Sequence, residues 1–205
     1  MFELDLNPAS AHELFVIDGA VPDLQSLIAA IGPDKSVVVL DPQRDGVLQL
    51  ADLLSNESGL DAIQVLSHGS VGCLSLGTAV LNEGSITSYS PALEIVGKAL
   101  TASGDLLLYG CDVAQGEVGQ NFIGRLAAIT GADVAASNDI TGAGGNWMLE
   151  QSTGEINASA IGETLPIAFP YQLLDATTPT PSVAPLEYAL LAANAYGLGN
   201  NFGLS

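Results

Sequence analysis

The sequence predicts an α/β fold of three layers: a mainly parallel central sheet flanked by helices, plus small β-hairpins. Two observations carry this. Short apolar runs recur along the chain, several of them apolar at every position, as strands are when both faces of a sheet are covered. Between them lie stretches with helical periodicity, and the resulting βαβαβ alternation implies parallel strands joined by crossover helices.

Taken in order, LFVI (14–17), VVVL (37–40), IQVL (63–66), LLLY (106–109) and the shorter run 134–136 read as strands. Helices are expected over 22–31, 47–56, 91–101 and 116–130. In the last of these Val118, Phe122, Leu126 and Ile129 fall at helical spacing and predict one buried stripe. Residues 72–81, GCLSLGTAVL, alternate around a glycine and predict a small hairpin. Residues 140–156, ITGAGGNWMLEQSTGEI, read as glycine-rich turns flanking short strands, with Trp147 as a core anchor. The Pro/Thr-rich stretch DATTPTPSVAP is stiff and extended. The expected organisation is a domain over 1–171, a linker over 172–185, and a segment over 186–205 that is a helical tail or the start of a further domain.

Composition narrows the function. The chain has 205 residues with 23 acidic and 4 basic side chains, a formal charge of −19, yet only 13% of positions are charged. Lysine and arginine are depleted rather than acids gained, since an ordinary domain is about 25% charged. Counterion release on nucleic acid needs cations, and only Lys35, Arg44, Lys98 and Arg125 are present. Nucleic-acid binding and docking to anionic lipid are therefore not expected, and neither is membrane insertion, because no apolar run approaches the ~18 residues of a spanning helix. The amino-terminal sequence lacks a basic region and a long apolar run, so no Sec-type signal is visible. Export to the exterior or cell surface by another route is the expected destination, with the cytoplasm as the other option. Two cysteines, Cys73 and Cys111, are too few for a disulfide scaffold.

In open α/β sheets the functional crevice lies at the carboxyl ends of the strands. His68 directly follows the third predicted strand and Cys111 the fourth. If those strands are neighbours, imidazole and thiol share one edge, which is what a cysteine nucleophile needs: the thiolate is the reactive form and an adjacent base generates it. Gly69 lets the backbone approach a substrate closely, and its N–H with that of Cys111 forms a candidate oxyanion hole worth on the order of 3 kcal/mol per donor in the transition state. Gly110 permits a sharp exit from the strand.

These residues resemble a known group. Histidine-glycine after one strand and glycine-cysteine after the next is similar to the caspase-like cysteine peptidases, among them caspases, gingipains, clostripain, separase and the self-cleaving domains of large bacterial toxins. More closely, the run from LSHGSVGCLSLG through LLLYGCDVAQGEVGQNFIGRLAAITGADVAASNDITGAGGNWMLE resembles DUF4347, a bacterial domain of unassigned function found near the amino terminus of very large surface or secreted repeat proteins. The resemblance covers roughly 13–161. It implies a caspase-like three-layer sandwich acting as a cysteine endopeptidase on a polypeptide substrate, its own chain or a neighbouring protein included, with His68 as general base and Cys111 as nucleophile. Specificity then lies in the loops after the later strands, with Asp112, Ser137 and Asp139 as candidate substrate contacts. Asp112 and Asp139 argue for a basic or small residue before the scissile bond. Asp112 also raises the thiol pKa unless it turns away, and is alternatively available to orient His68.

Other readings stand beside this one. The chain is alternatively a non-catalytic adhesion or assembly module of a large exported protein, with Cys111 buried or joined to Cys73 as a disulfide. A zinc site would need His68, Cys73, Cys111 and a carboxylate or His12, without any paired ligand spacing to support it. Asp18-Gly19 and Asp41-Pro42 read most simply as turn residues. No cofactor is required, and calcium is left open as an activator or structural ion because acidic loops suit it.

Overall fold

Along the central strands, alternate side chains enter two separate cores. The computed structural model describes residues 12–161 and 169–174; the predicted tail and all of the linker beyond residue 174 lie outside them. In chain order the elements are β1 (Glu13–Asp18), α1 (Leu24–Ile31), β2 (Ser36–Leu40), α2 (Gly46–Leu54), β3 (Leu60–Leu66), β4 (Gly69–Ser70), β5 (Cys73–Leu76), β6 (Ala79–Asn82), α3 (Ser90–Ala99), β7 (Leu100–Tyr109), α4 (Gly116–Thr130), β8 (Asp133–Ala136) and β9 (Gln151–Ser152). A six-stranded sheet has the order β2-β1-β3-β7-β8-β9, and its first five strands are parallel. The short β9 closes the edge antiparallel to β8. A second, antiparallel sheet contains β4, β5 and β6. The α/β class, the parallel sheet and the hairpin read from the sequence are all present.

Leu14, Val16, Ile63, Val65, Leu106 and Leu108 face a core shared with α2, α3, α4 and the small sheet. Phe15, Ile17, Leu66, Leu107 and Tyr109 face the opposite core, covered by α1 and by irregular chain around Trp147 and Ile161. That chain has no helical ladder for its backbone groups, so the sheet supplies polar partners. Asp105 Oδ2 accepts the N–H groups of Asn157 and Ala158 at 2.7 and 2.8 Å. The Ile161 N–H donates to the Tyr109 hydroxyl at 2.9 Å, the hydroxyl donates to Gln64 Oε1 at 3.2 Å, and Gln64 Nε2 donates to the Ser159 carbonyl at 3.3 Å. Burial pushes the Tyr109 phenol up, well beyond the ordinary tyrosine range.

Three sequence readings change. The stripe on α4 consists of Gly119, Phe122, Ile123, Leu126 and Thr130. Val118 is 54% exposed instead, because its turn of the helix lies against the hairpin bend at Gly72 rather than the sheet. The expected helix over 91–101 ends at Ala99, and β7 starts at once with Leu100 opposite Leu60. An irregularity in the ladder between Leu60 and Ala62 absorbs the intervening TASG, so β7 begins well before the apolar run that announces it. Finally, β4 adds a third strand to the predicted hairpin. No helix among the described residues is long and apolar enough to cross a membrane.

Candidate active site

β3 and β7 are adjacent and parallel, with Leu66 opposite Tyr109. His68 and Cys111 each lie two residues beyond those partners, so both arrive at the same carboxyl edge of the sheet. The two exits pack tightly. A Cβ on Gly69 would stand 2.6 Å from Val113 Cγ2 and 3.0 Å from the Cys111 carbonyl oxygen, and one on Gly110 would stand 3.0 Å from the Ser67 carbonyl oxygen. Only glycines allow that approach.

After Cys111 the chain turns through Asp112 in the left-handed region, φ 60°. Asp112 donates its N–H to the Asp139 carbonyl at 2.9 Å, and its carboxylate accepts Gln115 Nε2 at 2.9 Å. Asparagine and aspartate tolerate this conformation better than other non-glycine residues, at a cost of roughly 1–3 kcal/mol that the surrounding bonds offset. Ser137, fully buried, hydrogen-bonds the backbone and carboxylate of Asp139, whose other oxygen accepts Asn146 Nδ2 at 3.0 Å. The three sequence-nominated substrate contacts therefore form one local network beside the thiol.

Cys111 is 0% exposed. Its Sγ accepts the Thr141 N–H at 3.2 Å and donates to the Thr141 carbonyl at 3.5 Å. Burial pushes the thiol above its ordinary value of 9.0, and the charges of Asp112 and Asp139 act in the same direction; hydrogen bonds from the Thr141 and Leu173 backbone oppose them. Cys73 is half-buried on β5, and it is not joined to Cys111 by a disulfide.

His68 is 7% exposed. Its Nε2 lies 3.4 Å from the Ala20 carbonyl. A carbonyl can only accept, so this contact fits the tautomer with the proton on Nε2, which leaves a lone pair on Nδ1. Among the described residues that buried Nδ1 has no hydrogen-bond partner. The His68 backbone carbonyl accepts the Ser75 N–H at 2.9 Å.

Asp18, read from the sequence as a turn residue, has a larger part. Its carboxylate, 1% exposed, accepts the N–H groups of Ala20 at 2.8 Å and Gly77 at 2.6 Å and the Ser67 hydroxyl at 3.1 Å. Ser67 also donates to the Ser75 carbonyl. One carboxylate thus joins the end of β1, the residue before His68 and the bend of the small sheet. The signal available in the sequence was a carboxylate closing a solidly apolar strand.

The candidate oxyanion donors converge on one atom. The N–H groups of Gly69 and Cys111 both donate to the Leu173 carbonyl oxygen, at 2.9 and 3.1 Å. Leu173 donates its own N–H to the Thr141 carbonyl at 3.0 Å, Ala143 donates to the Tyr171 carbonyl at 2.8 Å, and Gln172 Nε2 donates to the Ala143 carbonyl at 2.8 Å. Residues 172–174, which the sequence placed in the linker, are therefore seated on the body. Among the described residues no three His, Cys, Asp or Glu side chains gather as a metal site, and the combination of His68, Cys73 and Cys111 does not form one.

The profile of a family described as a domain of unknown function, DUF4347, matches residues 14–171, and the chain belongs to that family. No curated protein sequence matches the chain.

Proposed function

We propose that this member of the DUF4347 family is a cysteine endopeptidase in which Cys111 is the nucleophile, His68 the general base and the N–H groups of Gly69 and Cys111 the oxyanion hole. The observation that carries the reading is the convergence of those two donors on a single carbonyl oxygen, at 2.9 and 3.1 Å, at the strand edge that holds thiol and imidazole. Those distances suit an oxyanion hole, whose donors stand ~2.7–3.1 Å from the reacting oxygen. The resemblance to caspase-like peptidases agrees with the same assignment.

In the reaction, His68 Nδ1 takes the Cys111 proton as Sγ attacks the peptide carbonyl carbon. The pair is needed because burial disfavours a standing thiolate. The negative oxygen of the tetrahedral species lies between the two N–H donors. Collapse breaks the C–N bond, the imidazolium gives its proton to the departing amine, and a thioester remains on Cys111. Water, deprotonated by His68, hydrolyses the thioester and restores the thiol. The Thr141 N–H, 3.2 Å from Sγ, stabilises sulfur charge during attack. The reaction needs no cofactor; comparison with and without a calcium chelator tests calcium as an activator.

Wild-type chain and Cys111→Ala are compared on a peptide library and on the full-length chain by mass spectrometry. Cleavage products unique to the wild type are expected; identical patterns overturn the assignment. The second reading, a non-catalytic adhesion or assembly module, draws on the complete burial of the thiol. It predicts that Cys111 resists alkylation under all native conditions.

A further inference from the structure

We infer that the peptide bond between Leu173 and Leu174 is the self-cleavage site of this chain, and that the specificity pocket selects leucine or a comparable bulky apolar residue before the scissile bond. This rests on the peptidase reading and names its substrate. Residues 171–174 occupy the site as an extended peptide added to a strand edge, a recurrent mode of peptide recognition. Backbone bonds from Leu173 to Thr141 and from Ala143 to Tyr171 set the register, and the Gly142–Gln172 bridge is antiparallel. That register delivers the Leu173 carbonyl, and no other, to the donors of Gly69 and Cys111.

Side chains argue the same way. Leu173 is 0% exposed and belongs to the buried cluster that includes Tyr109, Cys111, Trp147 and Phe169. Upstream, the segment is anchored by a run of rings: Tyr109 to Trp147 at 6.3 Å, Trp147 to Phe169 at 5.7 Å and Phe169 to Tyr171 at 5.6 Å. Leu174, on the leaving side, is partly exposed. The pocket at the scissile position is apolar, while the carboxylates of Asp112 and Asp139 are engaged by Gln115 and Asn146. The Leu173 side chain lies in an apolar cluster, so this proposal assigns a bulky apolar residue where the sequence suggested a basic or small one.

In chemical terms Cys111 Sγ bonds to the Leu173 carbonyl carbon, the Leu173–Leu174 C–N bond breaks, and the thiol proton passes through His68 to the Leu174 amine. Water then releases Leu173 as a carboxylate.

The test incubates the full 205-residue chain, with and without calcium, and follows intact mass, beside Cys111→Ala, Leu173→Asp and Leu174→Pro. Leu174→Pro replaces an exposed side chain and makes the leaving nitrogen a tertiary amide; a melting curve that matches the wild type then separates blocked chemistry from failed folding, and each variant is melted in the same way. In parallel, the wild type and Cys111→Ala receive Tyr-Gln-Leu-aminomethylcoumarin. The expected result is a fragment ending at Leu173 and one beginning at Leu174 from the wild type, none from Cys111→Ala, and cleavage slowed roughly a hundredfold or more in the other two variants. Cys111-dependent cutting elsewhere, or at an unchanged rate in Leu173→Asp, overturns the assigned bond and leaves the peptidase reading standing. So does an intact chain that nevertheless hydrolyses the coumarin peptide in a Cys111-dependent way. An intact chain and an untouched peptide overturn both.

Discussion

Replacing Gly69 with alanine tests the oxyanion assignment at its tightest contact. The added methyl would stand 2.6 Å from Val113 Cγ2, 3.0 Å from the Cys111 carbonyl oxygen and 3.1 Å from the Gly110 carbonyl carbon. The first value is about 1 Å short of the roughly 3.5 Å at which carbon atoms rest in contact. Val113 is fully buried, so its side chain cannot move aside cheaply and the loop carrying Gly69 retreats. The Gly69 N–H stands 2.9 Å from the carbonyl oxygen that it stabilises. A retreat of ~0.6 Å carries that bond to about 3.5 Å, beyond useful range. Loss of one such donor costs about 10²–10³ in kcat, with ~1–3 kcal/mol of stability from overpacking. The assay is the first-order rate of Cys111-dependent cleavage by intact mass, with a calorimetric melt of the same sample. Val113→Ala combined with Gly69→Ala removes the closest atom struck by the new methyl and should recover part of the lost rate relative to Gly69→Ala alone. A Gly69→Ala chain that cuts within about threefold of wild type refutes the assigned role of this N–H.

Further predictions follow the same geometry. Asp18→Asn keeps one acceptor oxygen but turns an amide N–H₂ toward backbone donors that now meet a carboxylate; a loss of ~2–4 kcal/mol is expected, with kcat falling more than KM rises because the Ala20 carbonyl no longer holds the His68 ring. Urea unfolding and a kinetic split measure both, and an unaltered kcat in the folded variant removes Asp18 from the positioning of His68. Tyr109→Phe leaves the Ile161 N–H and the Gln64 carbonyl without their partner, for a loss of about 2 kcal/mol and a fall in melting temperature of about 6 °C. Stability should also depend on alkaline pH. Cys111 and Tyr109 hold their protons above the ordinary 9.0 and 10.0, so the unfolded chain releases them first. Their contribution is intact below about pH 8 and lost progressively as pH rises past the unfolded values, most of it absent from a Cys111→Ala, Tyr109→Phe double variant. At neutral pH, alkylation of half-buried Cys73 should outpace that of Cys111, which accelerates when Leu173→Asp weakens the segment above it.

How much of this was legible in the sequence depends on what carried each feature. Solid apolar runs locate β1, β2, β3, β7 and β8, because burial of both sheet faces is written into side-chain type. The placement of His68 and Cys111 at one sheet edge follows from the adjacency of β3 and β7, a tendency of sequential strands that this sheet obeys. The ladder partner of Leu100 was hidden, since TASG carries no apolar signal and its accommodation depends on the Leu60 strand. Val118 has helical spacing with Phe122, yet periodicity cannot say where a helix passes beyond the sheet it covers. Gln64 inside IQVL and Asp105 before LLLY were visible anomalies in apolar runs; their partners, about fifty to a hundred residues away, were not. The contact of Leu173 with Gly69 and Cys111 was least legible of all, because it is made by a backbone carbonyl and any residue type has one.

The clamp on the Leu173 oxygen joins two parts of a single polypeptide, so its occupancy is a property of the molecule and not of its concentration. Dilution cannot empty it. A free peptide has to compete with a tethered one whose effective concentration is set by a short stretch of chain, on the order of millimolar or above. Under the self-cleavage proposal the first turnover is consequently unimolecular, with a rate independent of protein concentration. The same proposal predicts that turnover on another molecule follows with a lag, whose length is the residence time of the new carboxyl terminus between Gly69 and Cys111.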